Sequence, residues 1–491
     1  MTPRADLLTR IDAWGLRAPA RIAHRSGEQV LTWGELITRS DALAAHLVSL
    51  GLPSEQPVVL RGHKESEMLV GFLGCAKAGH PYVPVDVSVP EARLERIIAA
   101  SGATLVLTPR KVRVRSAGTS SSPPRRGGPE SAHYVMFTSG STGEPKGVVI
   151  TRGCLEAFLD WTLAEQRFTD EREVFLNHVI YSFDVSVMDT WTGLLTGGSV
   201  VSLTASDLGD FLRLFRVIEE ARLTSWVSTP ALAQMCLAEP RFRQAMLPEL
   251  RRFLFCGDVL TPQVASQLIE RFPDAEVWNT YGPTEATVAT TSVRITEAII
   301  ARHPQLPIGV AMPGTDVVVE DEAGRRVADG ERGEIVIIGP NVSPGYLARP
   351  DLTERVFSLR DGRRAYRTGD WGQVVDGQLF FHGRMDNQVK IAGHRVELGD
   401  IEVHLAALPR VSAAAVVTTM KDGRPDALHA FVVLTERATN DDHAIAAQLR
   451  LALATVLPAY MMPRRFHVVD QMPLSANGKT DRRALAARLV R

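Results

Sequence analysis

The stretch FTSGSTGEPKGVVI (137–150) crowds hydroxyls and glycines ahead of a single lysine, between two apolar runs. Thr138, Ser139, Gly140, Ser141, Thr142 and Gly143 offer side-chain hydroxyls and unhindered backbone N–H groups that can wrap anionic oxygens, with Lys146 as a nearby point charge. The spacing is not that of a Walker loop, because Pro145 precedes the lysine and Gly147 follows it. Taken alone, the stretch also reads as a polar hairpin loop.

Three further stretches carry residue types that suit a nucleotide. In NTYGPTEATV (279–288), Tyr281 can stack on a purine face, the Gly282-Pro283 turn exposes backbone, and Glu285 supplies a hard oxygen suited to Mg²⁺. In YRTGD (366–370), Asp370 follows a glycine, where its carboxylate can accept hydrogen bonds from two ribose hydroxyls. GRMDNQVKIAGHRVE (383–397) and PLSANGK (473–479) complete the series. A turn would account for any one of these stretches, but not for all of them in this order.

The elements that must position these residues show in the periodicity. Helical spacing dominates 7–50, whereas PVVL (57–60), TLVLT (104–108), HYVMFT (133–138) and VVSL (200–203) are short β-rich runs. Helical segments at 65–79 and 210–223 fall between them, and such alternation predicts parallel sheets covered by helices. The run between Val112 and Ser131 has too little apolar area to bury and reads as a surface loop. After Pro307 the texture changes to short strands with turns: DVVVEDEAGRRV, GEIVIIG and GQLFFHG. Strands and helices mix again over the last hundred or so residues.

The expected architecture is therefore an α/β and α+β multidomain chain. Residues 1–385 form a large N-terminal core with a β-rich subdomain at about 307–385, and residues 386–491 form a small α+β domain. The 55 basic and 56 acidic side chains leave a net charge of −1, so no global field favours nucleic acid or an anionic membrane. The N-terminal residues lack the apolar core of a signal peptide and no run of 18 apolar residues occurs, so a cytoplasmic location is expected. Cys75, Cys154, Cys236 and Cys256 contain no CxxC pair and are expected to be buried thiols.

On these motifs the chain resembles the adenylate-forming superfamily, and within it the amino-acid-activating adenylation domains of nonribosomal peptide synthetases and their free-standing relatives. LTWGEL (31–36), FLGCAKAGHPYVPVD (72–86), FDVS (183–186), GEIVIIG (333–339) and NGK carry the resemblance along with the stretches above. SFDVSVMD (182–189), WVSTPALAQMCL (226–237), FLFCGDVL (253–260) and NTYGPTEATVATTSV (279–293) are most similar to the D-alanine:D-alanyl-carrier-protein ligase branch.

The resemblance implies a two-step reaction. ATP and an amino acid give an aminoacyl adenylate and pyrophosphate; a phosphopantetheine thiol on a separate acyl or peptidyl carrier protein then takes the aminoacyl group as a thioester. Lys479 matches the family's catalytic lysine, bridging the substrate carboxylate and the α-phosphate. ATP contacts are implied for Asn279, Thr280, Tyr281, Gly282 and Thr284, for Thr142 in the phosphate stretch, for Asp370, and for Arg384, which reads equally as a structural ion-pair partner. Glu285 matches the Mg²⁺ ligand, Asp386 the hinge of a mobile C-terminal domain, and Gly393, His394 and Arg395 the loop lining the thiol tunnel.

Asp184 matches the aspartate that pairs with a substrate α-ammonium group, so an α-amino acid is implied rather than a fatty or aryl acid. Val185, Met188, Val227, Leu254, Cys256, Gly257, Thr280, Val288 and Ala289 align with pocket walls, and none carries a charge. Met188 and Leu254 take up volume near the floor, favouring alanine, with glycine or serine as competitors. Cys256 reads either as a core thiol or as a side chain beside the substrate Cα that influences chirality, and handedness stays open. No carrier module is recognised, so the carrier is expected in trans. Basic residues in 461–467 and 482–491 would meet its acidic surface or simply cover a solvated face. Two settings fit: D-alanine loading for the cell envelope, or supply of a small amino acid to antibiotic biosynthesis.

Overall fold

Several helix starts along the chain are set by side chains that satisfy orphan backbone donors. Thr32 and Glu35 form a reciprocal capping box at the start of Trp33–Ser49: Glu35 N donates to Thr32 Oγ1 at 3.3 Å and Thr32 N to Glu35 Oε2 at 2.8 Å. Thr204 forms a second box with Asp207, and Asp6, Asp210 and Thr261 cap other helices by accepting from backbone N–H groups, each cap worth about 1 kcal/mol. The structure, a computed structural model, describes residues 5–112, 127–139, 144–168, 173–385, 388–391, 394–421, 424–435, 441–473 and 480–489.

The helical character expected over 7–50 is interrupted. Helices Leu7–Arg17 and Trp33–Ser49 flank an antiparallel hairpin of Ile22–Ser26 and Gln29–Thr32. Gly27, at φ +55°, turns the hairpin, and the alternation around it is too short to outweigh the helical periodicity on either side. Most of the loop expected between Val112 and Ser131 lies outside the described residues.

Three sheets organise the larger of two compact units, which comprises Met1–Asp86, Ser101–Met136 and Gly147–Gly383. The first has nine strands: its central strands Glu276–Tyr281, Arg252–Phe255, Ser225–Ser228, Val174–Asn177, Ser199–Ser202 and Ile22–Ser26 run parallel, with antiparallel strands at both edges. A six-stranded sheet is built mainly of parallel strands around Val58–Arg61 and Tyr82–Val85. The third, antiparallel sheet pairs Arg332–Ile338 with Asp316–Glu320 and Arg363–Val375. Helix Ser66–Ala78 is buried on every face, which explains its apolar run from Met68 to Ala76, and ends on Gly79 at φ +80°.

The second unit comprises Val87–Ala100, Phe137–Lys146 and Arg384–Arg491. Its three-stranded sheet, Val411–Lys421, Arg424–Leu434 and Arg465–Val468, packs with helices Leu398–Ala406 and Asp442–Ala454 around Val416, Leu428, Leu449 and Leu453. Among the described residues no helix is long and apolar enough to cross a membrane. The four cysteines are buried and form no disulfide.

Two imidazoles are enclosed in the larger unit. His24 accepts from Ser66 Oγ at Nδ1 (2.8 Å) and donates from Nε2 to Ser202 Oγ (2.9 Å), a tautomer assigned from Ser202 donating onward to Asn177 Oδ1. His133 packs edge-on to Trp191 at 4.5 Å. Burial lowers both from the ordinary 6.5 to about 3. Each stays neutral in the folded chain while the unfolded chain takes up a proton, so their stabilisation is present above pH 6.5 and is lost as pH falls toward 3. Each adds a slope of up to about 1.4 kcal/mol per pH unit. Urea midpoints should therefore drop between pH 6.5 and 4.5, and His133→Phe should flatten that drop by about one proton; an unchanged slope in the variant would contradict the assignment.

Candidate functional site

The segment SFDVSVMD enters the helix Val185–Thr196, whose twelve residues are all buried. Asp184 occupies its N-cap position, only 4% exposed, yet its side chain makes no capping hydrogen bond. The N-terminus of a helix favours a carboxylate electrostatically, which lowers the cost of holding one out of water.

A buried polar network anchors this helix. Lys64 Nζ donates to Asn177 Oδ1 at 2.6 Å and Val179 O at 2.5 Å, and lies 4.2 Å from the centre of the Tyr181 ring. Asn177 Nδ2 donates in turn to Asp189 Oδ1 at 2.7 Å, one helical turn beyond Asp184. Burial pushes the Lys64 ammonium down and the Asp189 carboxyl up, and the charge of each opposes the other's shift.

Residues expected as pocket walls come from strands whose two faces serve different cores. Val227 and Leu254 are register partners and join Val185, Met188, Cys256, Val288 and Ala289 in one apolar cluster. Their neighbours Trp226, Phe253 and Phe255 point to a second cluster on the opposite face. Thr280 Oγ1 donates to Phe255 O at 2.8 Å, and Asn279 Nδ2 to Pro307 O at 2.8 Å. Gly257, at φ +88°, needs to be glycine twice over, since a Cβ there would also lie 3.1 Å from Val185 Cγ2.

The turn after Tyr281 closes the same cluster. Cys256 Sγ donates to Val288 O at 3.4 Å. Gly282 lies under the returning backbone, where a Cβ would meet Ala289 Cα at 2.5 Å and Thr290 N at 2.9 Å. Thr287 and Val288 both have positive φ, +55° and +68°, a conformation costing about 1–3 kcal/mol for a residue with a Cβ. Within the turn, Glu285 is fully buried and Tyr346 donates its hydroxyl to Glu285 Oε1 at 2.8 Å.

Tyr281 also reaches YRTGD, donating its hydroxyl to Asp370 Oδ2 at 2.5 Å. The Asp370 turn is held from below: Asp370 N donates to Thr368 Oγ1 and Gly369 N to Glu334 Oε1, both at 3.0 Å, while Arg367 pairs with Glu334. In the phosphate stretch, Thr138 ends the strand Ala132–Thr138 and Lys146 opens Lys146–Thr151. Thr138 Oγ1 is buried without a hydrogen-bond partner among the described residues, and Ser139 Oγ accepts from Glu397 N at 3.2 Å.

The remaining expected residues divide into two groups. Arg384 ends the strand Gln378–Arg384; His394 opens His394–Glu397, its ring stacked 4.1 Å from that of Tyr460; Arg395 pairs in register with Lys390. Gly140, Ser141, Thr142, Gly143, Asp386, Gly393 and Lys479 lie outside the described residues.

Sequence reasoning missed Lys64, Asn177, Asp189, Glu334, Asn341 and Tyr346. Asp189 had a signal, the single charged residue in the helix Val185–Thr196. Tyr346 and Glu285 are 61 residues apart, and no local pattern predicts that they meet. Among the described residues no group of three or more His, Cys, Asp or Glu could hold a metal. Glu285 instead suits an ion bound through one carboxylate, with other oxygens coming from phosphates and water, as Mg²⁺ commonly is.

Comparison with known proteins gives a consistent relationship. The family model described as AMP-binding enzyme matches residues 11–347, and that of the AMP-binding enzyme C-terminal domain matches 400–479. A D-alanine–D-alanyl carrier protein ligase of Bacillus mycoides is 41% identical over 503 residues, covering 99% of both chains, and its Bacillus anthracis counterpart is 41% identical over 502. Among solved structures, holo-PA1221, a nonribosomal peptide synthetase protein with adenylation and carrier domains, aligns with a TM-score of 0.83 at 27% identity, over 98% of this chain and 84% of that one. The Vibrio cholerae adenylation domain AlmE aligns at 0.86 and 22% identity over 100% and 98%, which shows the shared fold.

The backbone packing on Gly282 gives a direct test. Gly282→Ala forces the turn carrying Val288 and Ala289 off its seat and should cost about 1–3 kcal/mol in thermal or urea unfolding. Wild-type stability in that variant would mean that the close approach is not required.

Proposed function

Because the chain belongs to the AMP-binding enzyme family, we propose that it activates D-alanine as its adenylate and transfers it to the phosphopantetheine thiol of a separate carrier protein. The observation that carries this choice is the 41% identity, end to end, with D-alanine–D-alanyl carrier protein ligases. The small, uncharged walls of Val185, Met188, Val227, Leu254, Cys256, Val288 and Ala289 beside Asp184 support it. A charged substrate side chain there would be buried without a partner.

In the first step a carboxylate oxygen of alanine attacks the α-phosphorus of ATP and the bond to pyrophosphate breaks. Both reactants are anionic, so cations placed where charge builds up lower the barrier. Lys479 bridges the attacking carboxylate and the α-phosphate, and Thr284 contacts that phosphate. Thr138, Ser139, Gly140, Ser141, Thr142, Gly143 and Lys146 hold the β- and γ-phosphates. Asn279, Thr280, Tyr281 and Gly282 form the adenine side, Asp370 binds the ribose, and Arg384 adds a nucleotide contact. Asp184 pairs with the α-ammonium group, and Gly257 leaves room beside the substrate. Glu285, oriented by Tyr346, would hold Mg²⁺, which when bound neutralises triphosphate charge.

In the second step the carrier's thiol sulfur attacks the acyl carbon, AMP leaves with the bonding pair, and the thiol proton passes to solvent. The domain 386–491 turns about Asp386 between the two steps, so that Lys479 is replaced by Gly393, His394 and Arg395 beside the incoming thiol. This reading implies a cytoplasmic location, where ATP is available.

The test is amino-acid-dependent ATP–pyrophosphate exchange with D-alanine, L-alanine, glycine, L-serine and a medium-chain fatty acid. D-Alanine should give the highest kcat/KM, Lys479→Ala should lower exchange by at least 100-fold, and Asp184→Ala should raise the D-alanine KM. Preference for L-alanine or glycine would reassign the enzyme to small-amino-acid supply for natural-product assembly. Exchange with the fatty acid alone, or full exchange by Lys479→Ala, would overturn the residue assignments.

A further inference from the structure

We infer that Asn341 is a positioning residue for amino-acid specificity, acting through the left-handed turn that it holds against the pocket. This rests on the small-amino-acid reading of the pocket given above. Asn341 is fully buried and lies outside every motif assigned to the reaction.

Its hydrogen bonds converge on the turn. Nδ2 donates to Ala286 O at 2.8 Å and to Thr290 Oγ1 at 2.9 Å, so both flanks of Thr287 and Val288 are held by one amide. Its backbone oxygen accepts from Thr287 Oγ1 at 2.7 Å, and Oδ1 accepts from Thr315 Oγ1 at 3.0 Å. The orientation of the amide is unambiguous, because Ala286 O can only accept. Both N–H groups are used, and the donor that pins the oxygen, Thr315, comes from a separate segment.

Among the described residues the turn's other side-chain anchors are longer: Cys256 Sγ donates to Val288 O and Thr290 Oγ1 to Ala286 O, both at 3.4 Å. Val288 is β-branched at φ +68°, where such residues rarely settle unless held. Ala289 N donates to Thr287 O at 2.8 Å, closing a three-residue turn that fixes where the Val288 side chain points. Val288 and Ala289 belong to the cluster with Val185, Met188 and Leu254. If Asn341 lets go, Val288 relaxes toward extended backbone and that wall moves, while the Tyr281–Asp370 hydrogen bond lies on the other side of Gly282 and keeps its partners.

The predicted signature is thus a split between substrates. Asn341→Asp keeps the shape but sets an acceptor against Ala286 O, and Asn341→Ala removes the anchor. Either should raise the D-alanine KM about tenfold, leave the ATP KM within twofold, and reduce the preference for D-alanine over D-valine at least fivefold. A loss of melting temperature with both KM values and the preference unchanged would mean a purely structural role and would overturn the inference. Should these variants fail to fold, Thr315→Val, which frees the amide oxygen only, should shift the D-alanine KM and the preference in the same direction by about threefold, and no shift would likewise overturn it. Wild-type exchange with a different amino acid would reject the D-alanine assignment instead, and the same KM split would then be read with that amino acid.

Discussion

A carboxylate held almost entirely out of water, Asp184, constrains most of what surrounds it. A buried charge costs several kcal/mol unless its environment is organised in advance. Here it sits at the N-terminus of a helix buried on all sides, whose dipole favours negative charge, and the helix cannot shift because Asn177 ties Asp189 to Lys64 one turn further on. The anchor is itself polar and buried, so it works only while every partner is present. The carboxylate proposed to meet the substrate therefore stands on a helix held by a polar network of other residues.

The parallel strands extend this constraint to the residues proposed as pocket walls. Because side chains alternate across a strand, Val227 and Leu254 face the pocket cluster while Trp226, Phe253 and Phe255 fill a second core. Wall and core cannot be repacked separately, and a close-packed interior transmits a change of one methylene. The turn at 282–290 adds the remaining side by lying directly on Gly282, with Asn341 holding a conformation that Thr287 and Val288 would not adopt alone.

On the nucleotide side, the Tyr281 hydroxyl joins two motifs 89 residues apart by its bond to Asp370. Glu334 supports Asp370 through the Gly369 backbone and through Arg367. The residues proposed for the amino-acid wall and for the nucleotide thus diverge from one strand end, Tyr281–Gly282, with Thr280 common to both sets.

Sequence alone determined the chemistry on offer: hydroxyls and glycines before Lys146, a tyrosine and a carboxylate in NTYGPTE, an aspartate after Gly369, and Asp184 before an apolar helix. It also determined the alternation of helices and strands, since buried helices and parallel strands are written as runs of apolar residues. The hairpin at 22–32 escaped notice because two short strands between strong helices carry little periodicity of their own. Only the tertiary structure decided which polar residues support the site. Lys64 with Asn177, Tyr346 with Glu285, and Asn341 with Ala286 meet across 113, 61 and 55 residues, and separations of that size leave no local pattern. The positive φ of Val288 was equally invisible, because a β-branched residue predicts the opposite and only the surrounding hydrogen bonds reverse that preference.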